Sequence, residues 1–374
     1  MKITNVEVRG YRAASPKADR SYEACILRME TDAGLIGLAE VPSSPTLVRA
    51  LVDPVPTSPV WPALKGALLG ADPMADAKTM WDRLAWHMHI HGLRGAMLHA
   101  LSGVDIALWD LRAKAQGVRV ADLLGGAKRN RVRAYATVVD LGRTTDEVKR
   151  RIDAALVHGV QAVKLCSEPG WGTDTDWLAR VLTTARAHLG RDFPLMVDAY
   201  ACWPTAEAVL PLMPLFREVR LEWLEAALPP DDLAGFGHLR GQGVPIAAGD
   251  MGLTTRHEFR ALIDAAKPDI VQPDVGWVGG ITEMGEIARV ARAAGVRLVP
   301  HGYRSNLLLA TNLALLAAAE GEEWLEFSAS DSPLRWAVTK ERLPVGSDGR
   351  VAVPEGPGLG VALDEAALAP YRYL

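Results

Sequence analysis

The sequence is poor in cysteine, has no excess of basic residues and has no long apolar run. Its 3 cysteines, Cys25, Cys166 and Cys202, are odd in number and lack paired metal-ligand spacing, which argues for a reduced compartment rather than a disulfide framework. The net charge of −4 argues against nucleic-acid binding. No stretch approaches the roughly 18 uncharged apolar residues of a membrane span, and Met1–Val8 lacks the apolar core of a signal peptide. We therefore expect a cytoplasmic protein with neither nucleic acid nor membrane as a partner.

The first part of the chain, residues 1–126, predicts an α+β domain. Alternating polarity predicts strands at Lys2–Val8, Ala24–Thr31 and Gly34–Glu40. After a proline- and serine-rich loop, a broad apolar stripe predicts a helix over Leu98–Gln116. A chain of 374 residues is too long for one simple core, so a second domain is expected beyond this one.

A repeated strand–helix pattern occupies residues 127–350. The run Val132–Val138 predicts a strand and Thr145–His158 its helix, and Gln161–Cys166 with Thr175–Leu189 form the next unit. Six further units follow. Eight such units predict a closed (β/α) barrel. A doubly wound open sheet is the alternative, but it would gather its ligands at one switch point rather than at every strand end.

The last segment, residues 351–374, has no place in this barrel pattern. It includes the turn-rich sequence Pro-Glu-Gly-Pro-Gly-Leu-Gly. We predict that it returns to the first domain, which divides the chain into a capping domain, a barrel and a C-terminal segment.

Six ionisable residues each close one of the later apolar runs of the barrel. They are Asp198, Glu225, Asp250, Asp274, His301 and Glu326, and successive members are 27, 25, 24, 27 and 25 residues apart. A parallel barrel brings the carboxyl ends of its strands to one mouth, and an unpaired buried carboxylate is costly. Three acids in one mouth predict a divalent-cation site. The alternative is that Asp198, Glu225 and Asp250 cap the helices that follow their strands.

These residues, together with longer segments, resemble the enolase superfamily, mandelate racemase subgroup. The resemblance covers essentially the whole chain and includes Ala-Leu-Ser-Gly-Val-Asp-Ile-Ala-Leu-Trp-Asp, Asp-Leu-Leu-Gly-Gly and Pro-Asp-Val-Gly-Trp-Val-Gly-Gly-Ile-Thr. It implies an enolase-type modified TIM barrel with an α+β N-terminal capping domain. It also implies Mg²⁺-dependent removal of the proton alpha to a carboxylate, a reaction for which the superfamily pairs a Lys or His base with Mg²⁺.

The resemblance also implies a role for individual residues. The matching positions are the Mg²⁺ ligands Asp198, Glu225 and Asp250, the general base His301, its orienting partner Asp274, the first motif lysine Lys164 and the eighth-strand acid Glu326. Lys164 and Glu326 would hold the substrate carboxylate together with Mg²⁺. The alternatives are a core histidine for His301, a solvated rim lysine for Lys164 and a helix cap for Glu326. Tyr200 and Arg304 are candidate substrate contacts that could equally be packing or rim residues, and Arg20, in a loop of the first domain, is a further candidate contact to an acidic substrate.

One departure from the family pattern bears on the reaction. Cys166 stands where the second motif lysine would be, and a buried cysteine most often acts as a small apolar side chain. Racemisation needs an acid or base on each face of the substrate, whereas dehydration needs only one. The sequence therefore predicts a carbon–oxygen lyase that dehydrates a sugar acid, an aldonate or aldarate, to a 2-keto-3-deoxy acid.

Three other functions stay open on the sequence alone. A racemase or epimerase and a sugar-lactone cycloisomerase would use the same proton abstraction, and a metal-dependent sugar-acid binding protein would use none. The expected partners are a small-molecule carboxylate and further copies of this chain in a homo-oligomer.

Overall fold

The computed structural model describes residues 1–14, 21–53, 60–168 and 170–374. Its strands are β1 Ile3–Ala14, β2 Ser21–Thr31, β3 Ile36–Val41, β4 Arg131–Val138, β5 Val163–Cys166, β6 Leu195–Asp198, β7 Leu221–Glu225, β8 Ile246–Ala248, β9 Ile270–Val271, β10 Arg297–Leu298, β11 Leu325–Ser328 and β12 Arg350–Ala352. Its α-helices are α1 Pro45–Val52, α2 Leu64–Leu68, α3 Ala77–Met88, α4 Ala96–Gln116, α5 Val120–Leu123, α6 Thr145–Leu156, α7 Thr175–Leu189, α8 Ala206–Val209, α9 Met213–Glu218, α10 Leu233–Leu239, α11 Arg256–Ala266, α12 Gly280–Ala293, α13 Asn306–Ala318, α14 Leu334–Ala337 and α15 Glu365–Leu368. None of these helices is long and apolar enough to cross a membrane.

The N-terminal region is an antiparallel sheet covered by a long helix. Strands β1, β2 and β3 pair in that order. Helix α4 packs on this sheet so closely that a side chain at Gly37 would meet the carbonyl of Ala107, and one at Gly103 would meet Val41. The predicted strands and the predicted helix of this region are confirmed, with bounds that differ by a few residues.

The second region is a curved parallel sheet of eight barrel strands. Its order is β10-β9-β8-β7-β6-β5-β4-β11, so the last barrel strand returns to pair with the first. Among the described residues, no ladder joins β10 to β11, and the backbone N–H of Gly302 instead donates to Glu326 across that gap, at 2.8 Å. The predicted fold class, a (β/α) barrel with an α+β capping domain, is confirmed.

Inside the barrel, an apolar layer lies directly beneath a polar one. The apolar layer has one residue from each strand or its immediate end: Tyr135, Ala162, Met196, Trp223, Ala247, Ile270, Val299 and Trp324. Alternate residues of a strand point to the same face, so the residue two positions later lies one step nearer the mouth. At seven of the eight strands that residue is polar: Thr137, Lys164, Asp198, Glu225, Gln272, His301 and Glu326. An apolar layer that excludes water thus lies under a ring of polar side chains in the barrel.

The C-terminal segment contacts both regions. The expectation that it has no place in the barrel is wrong for its first residues, because β12 pairs antiparallel with β4, with Val351 opposite Val132. Further along, the backbone N–H of Leu359 donates to Asp110 of α4 at 2.8 Å, and that of Tyr373 donates to the Gly10 carbonyl at 3.0 Å. The division of the chain at residues 126 and 350 stays a prediction.

The capping region lies against the barrel mouth through buried polar contacts. Glu40, at the end of β3, accepts hydrogen bonds from the Ser305 hydroxyl at 2.5 Å and from the Leu308 backbone N–H at 3.3 Å, at the start of α13. From the loop after β9, the Trp277 indole N–H donates to the Pro42 carbonyl at 2.7 Å. These contacts fix residues 40–44 beside the ends of β9 and β10.

Candidate active site

The three predicted metal ligands converge at the barrel mouth. Asp198 and Glu225 end β6 and β7, and their strands place them side by side in register. Asp250 follows β8 after Gly249, whose φ of +95° and close contact with the Phe259 ring leave no room for a side chain. One carboxylate oxygen from each residue lies within 4.8 Å of the others, and all three residues are buried.

Mutual repulsion marks this group of carboxylates. Burial, followed by the charges of Glu225 and Asp198, raises the pKa of Asp250 to about 8. Burial also raises the pKa of Glu225, although the Lys164 ammonium opposes it. Three hard oxygen donors that repel one another suit Mg²⁺, which prefers carboxylate ligands and keeps some sites for water or substrate.

The helix-cap interpretation of these acids is wrong. Helix α10 begins at the N-cap Asp232 and α11 at Thr255, and each cap side chain accepts a backbone hydrogen bond. Helix α8 begins after Thr205. Asp198, Glu225 and Asp250 therefore precede the first residues of these helices, and their carboxylates are directed to the shared site.

Lys164 is the member of the ring of polar side chains that contacts acids from two other strands. Its ammonium donates to Glu225 at 2.5 Å and lies 3.0 Å from Glu326, and the residue is fully buried. Burial lowers the pKa of Lys164, but the charges of Glu225 and Glu326 outweigh it and hold that pKa well above its usual value. The interpretation of Lys164 as a solvated rim lysine is wrong, and its contact with a substrate carboxylate stays a prediction.

Glu225 is oriented by two further donors that the sequence analysis missed. The Trp223 indole N–H and the Gln272 amide donate to its second oxygen at 2.9 and 2.7 Å. Both residues precede a predicted site residue by two positions, in Trp223–Glu225 and Gln272–Asp274. That spacing places them on the same strand face, and it is the signal that would have found them.

His301 and Asp274 form a hydrogen-bonded pair from neighbouring strands. Nδ1 of His301 lies 2.7 Å from Asp274, whose other oxygen accepts the Gly276 backbone N–H at 2.7 Å. Burial lowers the pKa of His301, but the Glu326 charge and the Asp274 hydrogen bond more than offset it and raise that pKa to about 9. Nδ1 is thereby occupied, and Nε2 is the nitrogen free to take a proton.

Glu326 connects His301 with Lys164. It accepts hydrogen bonds from Thr137 and from the Gly302 backbone, and its second oxygen lies 3.8 Å from Nε2 of His301. Burial raises the pKa of Glu326, but the Lys164 and His301 charges lower it to about 2. The following helix, α14, has the N-cap Pro333, so Glu326 is not a helix cap.

The remaining candidates occupy different settings. Cys166 ends β5, and its thiol donates to Asp198 at 3.6 Å, while burial raises the pKa of that thiol. Tyr200 is 65% exposed, and Arg304 is exposed at the wall of a neighbouring cavity, so neither is a core residue. Arg20 lies outside the described residues. Contacts of Tyr200 and Arg304 with a substrate stay predictions.

Comparison with known proteins places this site in a family. Residues 147–367 match the model "Enolase C-terminal domain-like", and residues 13–125 match "Mandelate racemase / muconate lactonizing enzyme, N-terminal domain". The chain is 32% identical to the D-galactarolactone cycloisomerase of Agrobacterium fabrum, over all of this chain and 99% of that protein. It is 34% identical to the L-rhamnonate dehydratase of Saccharopolyspora erythraea, over 78% of this chain and 73% of that protein.

A solved structure matches the whole chain. The crystal structure of L-talarate dehydratase from Polaromonas sp. JS666, complexed with Mg and L-glucarate, superposes with a TM-score of 0.82 and is 30% identical, over all of this chain and 98% of that one. All three of these relatives are enzymes. The chain belongs to the enolase superfamily, mandelate racemase subgroup.

Proposed function

We propose that this protein removes the proton alpha to the carboxylate of a sugar acid and then eliminates a hydroxyl from the next carbon, forming a 2-keto-3-deoxy acid. The observation that carries the proposal is the His301–Asp274 pair at 2.7 Å beside the group of three carboxylates. The L-rhamnonate and L-talarate dehydratases support it as similar proteins.

Asp198, Glu225 and Asp250 would hold Mg²⁺, the cofactor bound in the L-talarate dehydratase structure. When bound, Mg²⁺ supplies positive charge that stabilises the negative charge developing on the substrate carboxylate. Nε2 of His301 takes the alpha proton, and Asp274 stabilises the resulting imidazolium. That imidazolium can then return the proton to the departing hydroxyl, so a single residue serves both steps.

Cycloisomerisation of a sugar lactone is the second candidate function. The D-galactarolactone cycloisomerase favours it, because that protein matches the full length of this chain. After the same proton abstraction, a ring oxygen rather than a hydroxyl would leave. His301 and Asp274 would serve both reactions equally, since the two differ only in the leaving group.

A screen of sugar acids and their lactones with Mg²⁺ tests both candidates. Dehydration gives a 2-keto acid that has lost one water, whereas cycloisomerisation gives a product of unchanged mass. Mass spectrometry after incubation in deuterium oxide also reports exchange of the alpha proton. Ligand binding without exchange or product for any acid would instead establish a non-catalytic binding protein.

We predict that Cys166→Ala leaves turnover within about tenfold of the wild type, a barrier change of about 1.4 kcal/mol at most. Cys166 ends the strand on which the family carries its second lysine, and its thiol is held protonated beside Asp198. Exchange in deuterium oxide should therefore occur with one configuration at the alpha carbon only. Exchange with both epimers, or loss of all activity in Cys166→Ala, would favour a racemase or epimerase.

A further inference from the structure

A cavity of about 510 Å³ opens between the capping region and the barrel, near the His301–Asp274 pair. Tyr303 and Ser328 line it, two residues beyond His301 and Glu326 respectively. Glu326 and Ser328 lie on the same face of β11, roughly 7 Å apart along the strand. The cavity therefore begins where the part of a substrate remote from the reacting carboxylate would lie.

The wall of this cavity is rich in hydroxyl groups. Six serines line it: Ser43, Ser44, Ser305, Ser328, Ser330 and Ser332. A hydroxyl can both donate and accept a hydrogen bond, which suits a polyhydroxylated carbon chain.

One cation of the wall has no counter-ion among the described residues. Arg335 is 5% exposed, and its guanidinium lies over the Phe327 and Trp336 rings, 4.3 and 4.4 Å from their centroids. Its Nη1 lies 3.5 Å from Nε2 of His158, and its Nη2 has no hydrogen-bond partner in the part of the chain that the structure describes. A buried charge without a partner is costly, so this arrangement suits an anion that arrives with a ligand.

The acids of the wall are already paired, in contrast to Arg335. Glu23 accepts from Arg12 and Tyr373, and Glu40 accepts from Ser305. The hydroxyl of Tyr303 is buried beside the Ser328 and Ser330 side chains, but among the described residues it makes no hydrogen bond of good geometry. Among the described residues, Arg335 is therefore the charged donor of this cavity without an acid partner, and the Tyr303 hydroxyl is a neutral donor beside the serines of the same wall.

We propose that Arg335 and Tyr303 bind the second, terminal carboxylate of the substrate, which makes an aldarate rather than an aldonate the preferred substrate class. This inference rests on the proposed function, because it assumes that the first carboxylate lies at Asp198, Glu225 and Asp250. The guanidinium presents paired N–H groups that match a carboxylate, and the phenol adds one further donor.

The test compares kcat/KM for aldaric acids and for the aldonic acids of matching configuration. Wild type should prefer the aldarate by about ten- to a hundredfold, the effect of one charge-assisted hydrogen bond. Arg335→Gln should remove that preference while turnover of the aldonate persists. Tyr303→Phe should reduce the preference for the aldarate by a few fold. Arg260→Gln is the matched control, since Arg260 is an exposed arginine of α11 that does not line this cavity, and it should keep the preference.

Equal use of aldonates and aldarates by wild type, or loss of the preference in Arg260→Gln but not in Arg335→Gln, would overturn this assignment. If Arg335→Gln does not fold, Tyr303→Phe and Arg335→Lys carry the test. Calorimetric titration of aldaric and aldonic acids into Mg²⁺-loaded protein separates the two proposals. Selective binding of aldarates without alpha-proton exchange would reject the proposed function but would leave the assignment of Arg335 and Tyr303 intact.

A different observation supports a second inference, about the orientation of His301. The Trp277 ring stacks on His301 with centroids 5.2 Å apart and planes 23° apart, and His99 stacks on Trp277 at 5.6 Å. The Trp277 indole is fixed to Pro42, and Nδ1 of His99 lies 3.1 Å from the Ser43 hydroxyl. A side chain at Gly276 would collide with Pro42, so the capping region lies directly against this loop.

We infer that Trp277 is a positioning residue, which holds the imidazole plane of His301 and transmits the placement of residues 42–43 to it. An aromatic face also stabilises the imidazolium that forms during proton transfer. Trp277→Leu should lower kcat by about tenfold or more with little change in KM, whereas Trp277→Phe, which keeps a ring, should restore most of kcat. Equal kcat in wild type and Trp277→Leu, with only a lower melting temperature, would reduce Trp277 to a packing role.

Discussion

His301→Asn is expected to lower turnover by about 10²–10⁴-fold, the usual contribution of a general base, and to abolish alpha-proton exchange. Asparagine keeps a polar group near Asp274 but has no nitrogen that can take a proton. Because His301 is not one of the predicted metal ligands, the affinity of the protein for Mg²⁺ should change little. Exchange of the alpha proton in deuterium oxide, followed by NMR, is the direct measurement.

The control and the pH profile sharpen this prediction. His238→Asn changes an exposed histidine of α10 and should leave exchange unaltered. A base works in its neutral form, so kcat/KM should rise with pH through the pKa of His301, which lies above the ordinary 6.5. Asp274→Asn removes the carboxylate charge that helps to raise the pKa of His301, and the rising limb of the profile should move to lower pH. Wild-type exchange in His301→Asn would show that another residue is the base.

Asp250→Asn is expected to change stability in opposite directions with and without Mg²⁺. Without the metal, the variant should unfold at a higher temperature than wild type, because it removes one of three buried carboxylates that repel one another. With Mg²⁺ at 100 times the wild-type Kd, wild type should gain about 2.7 kcal/mol from binding. The variant should gain about 0.4 kcal/mol or less, if its affinity falls by about 100-fold or more.

Thermal unfolding with and without Mg²⁺, together with calorimetric titration of the metal, measures both effects. Asp264→Asn, which changes an exposed acid on α11, is the matched control and should behave like wild type. Equal Mg²⁺ stabilisation of wild type and Asp250→Asn would place the metal elsewhere. A lower melting temperature of the variant in the absence of Mg²⁺ would contradict the repulsion among these acids.

The sequence by itself determined the fold class and the positions that converge. Apolar runs closed by ionisable residues at near-equal spacing require that those residues lie at the ends of consecutive strands, and parallel strands share one mouth. For this reason the spacing alone groups Asp198, Glu225 and Asp250. Local patterns also placed the elements well, because the barrel strands are short apolar runs that become wholly buried, and helices such as α6 and α11 carry an apolar stripe of period 3.6.

Only the tertiary structure decided which of these groups pair. The ion pairs of Lys164 with Glu225 and Glu326 join residues from three different strands, and neither partner can be chosen from spacing alone. The stacking of Trp277 on His301 requires that the capping region approach the β9 loop through Pro42, a contact between segments 235 residues apart. That Arg335 has aromatic rings and no acid beside it among the described residues is likewise a property of what surrounds it in space. Sequence periodicity fixes the face on which a side chain lies, whereas its partner depends on chain segments that meet only when the whole barrel and its cap are folded.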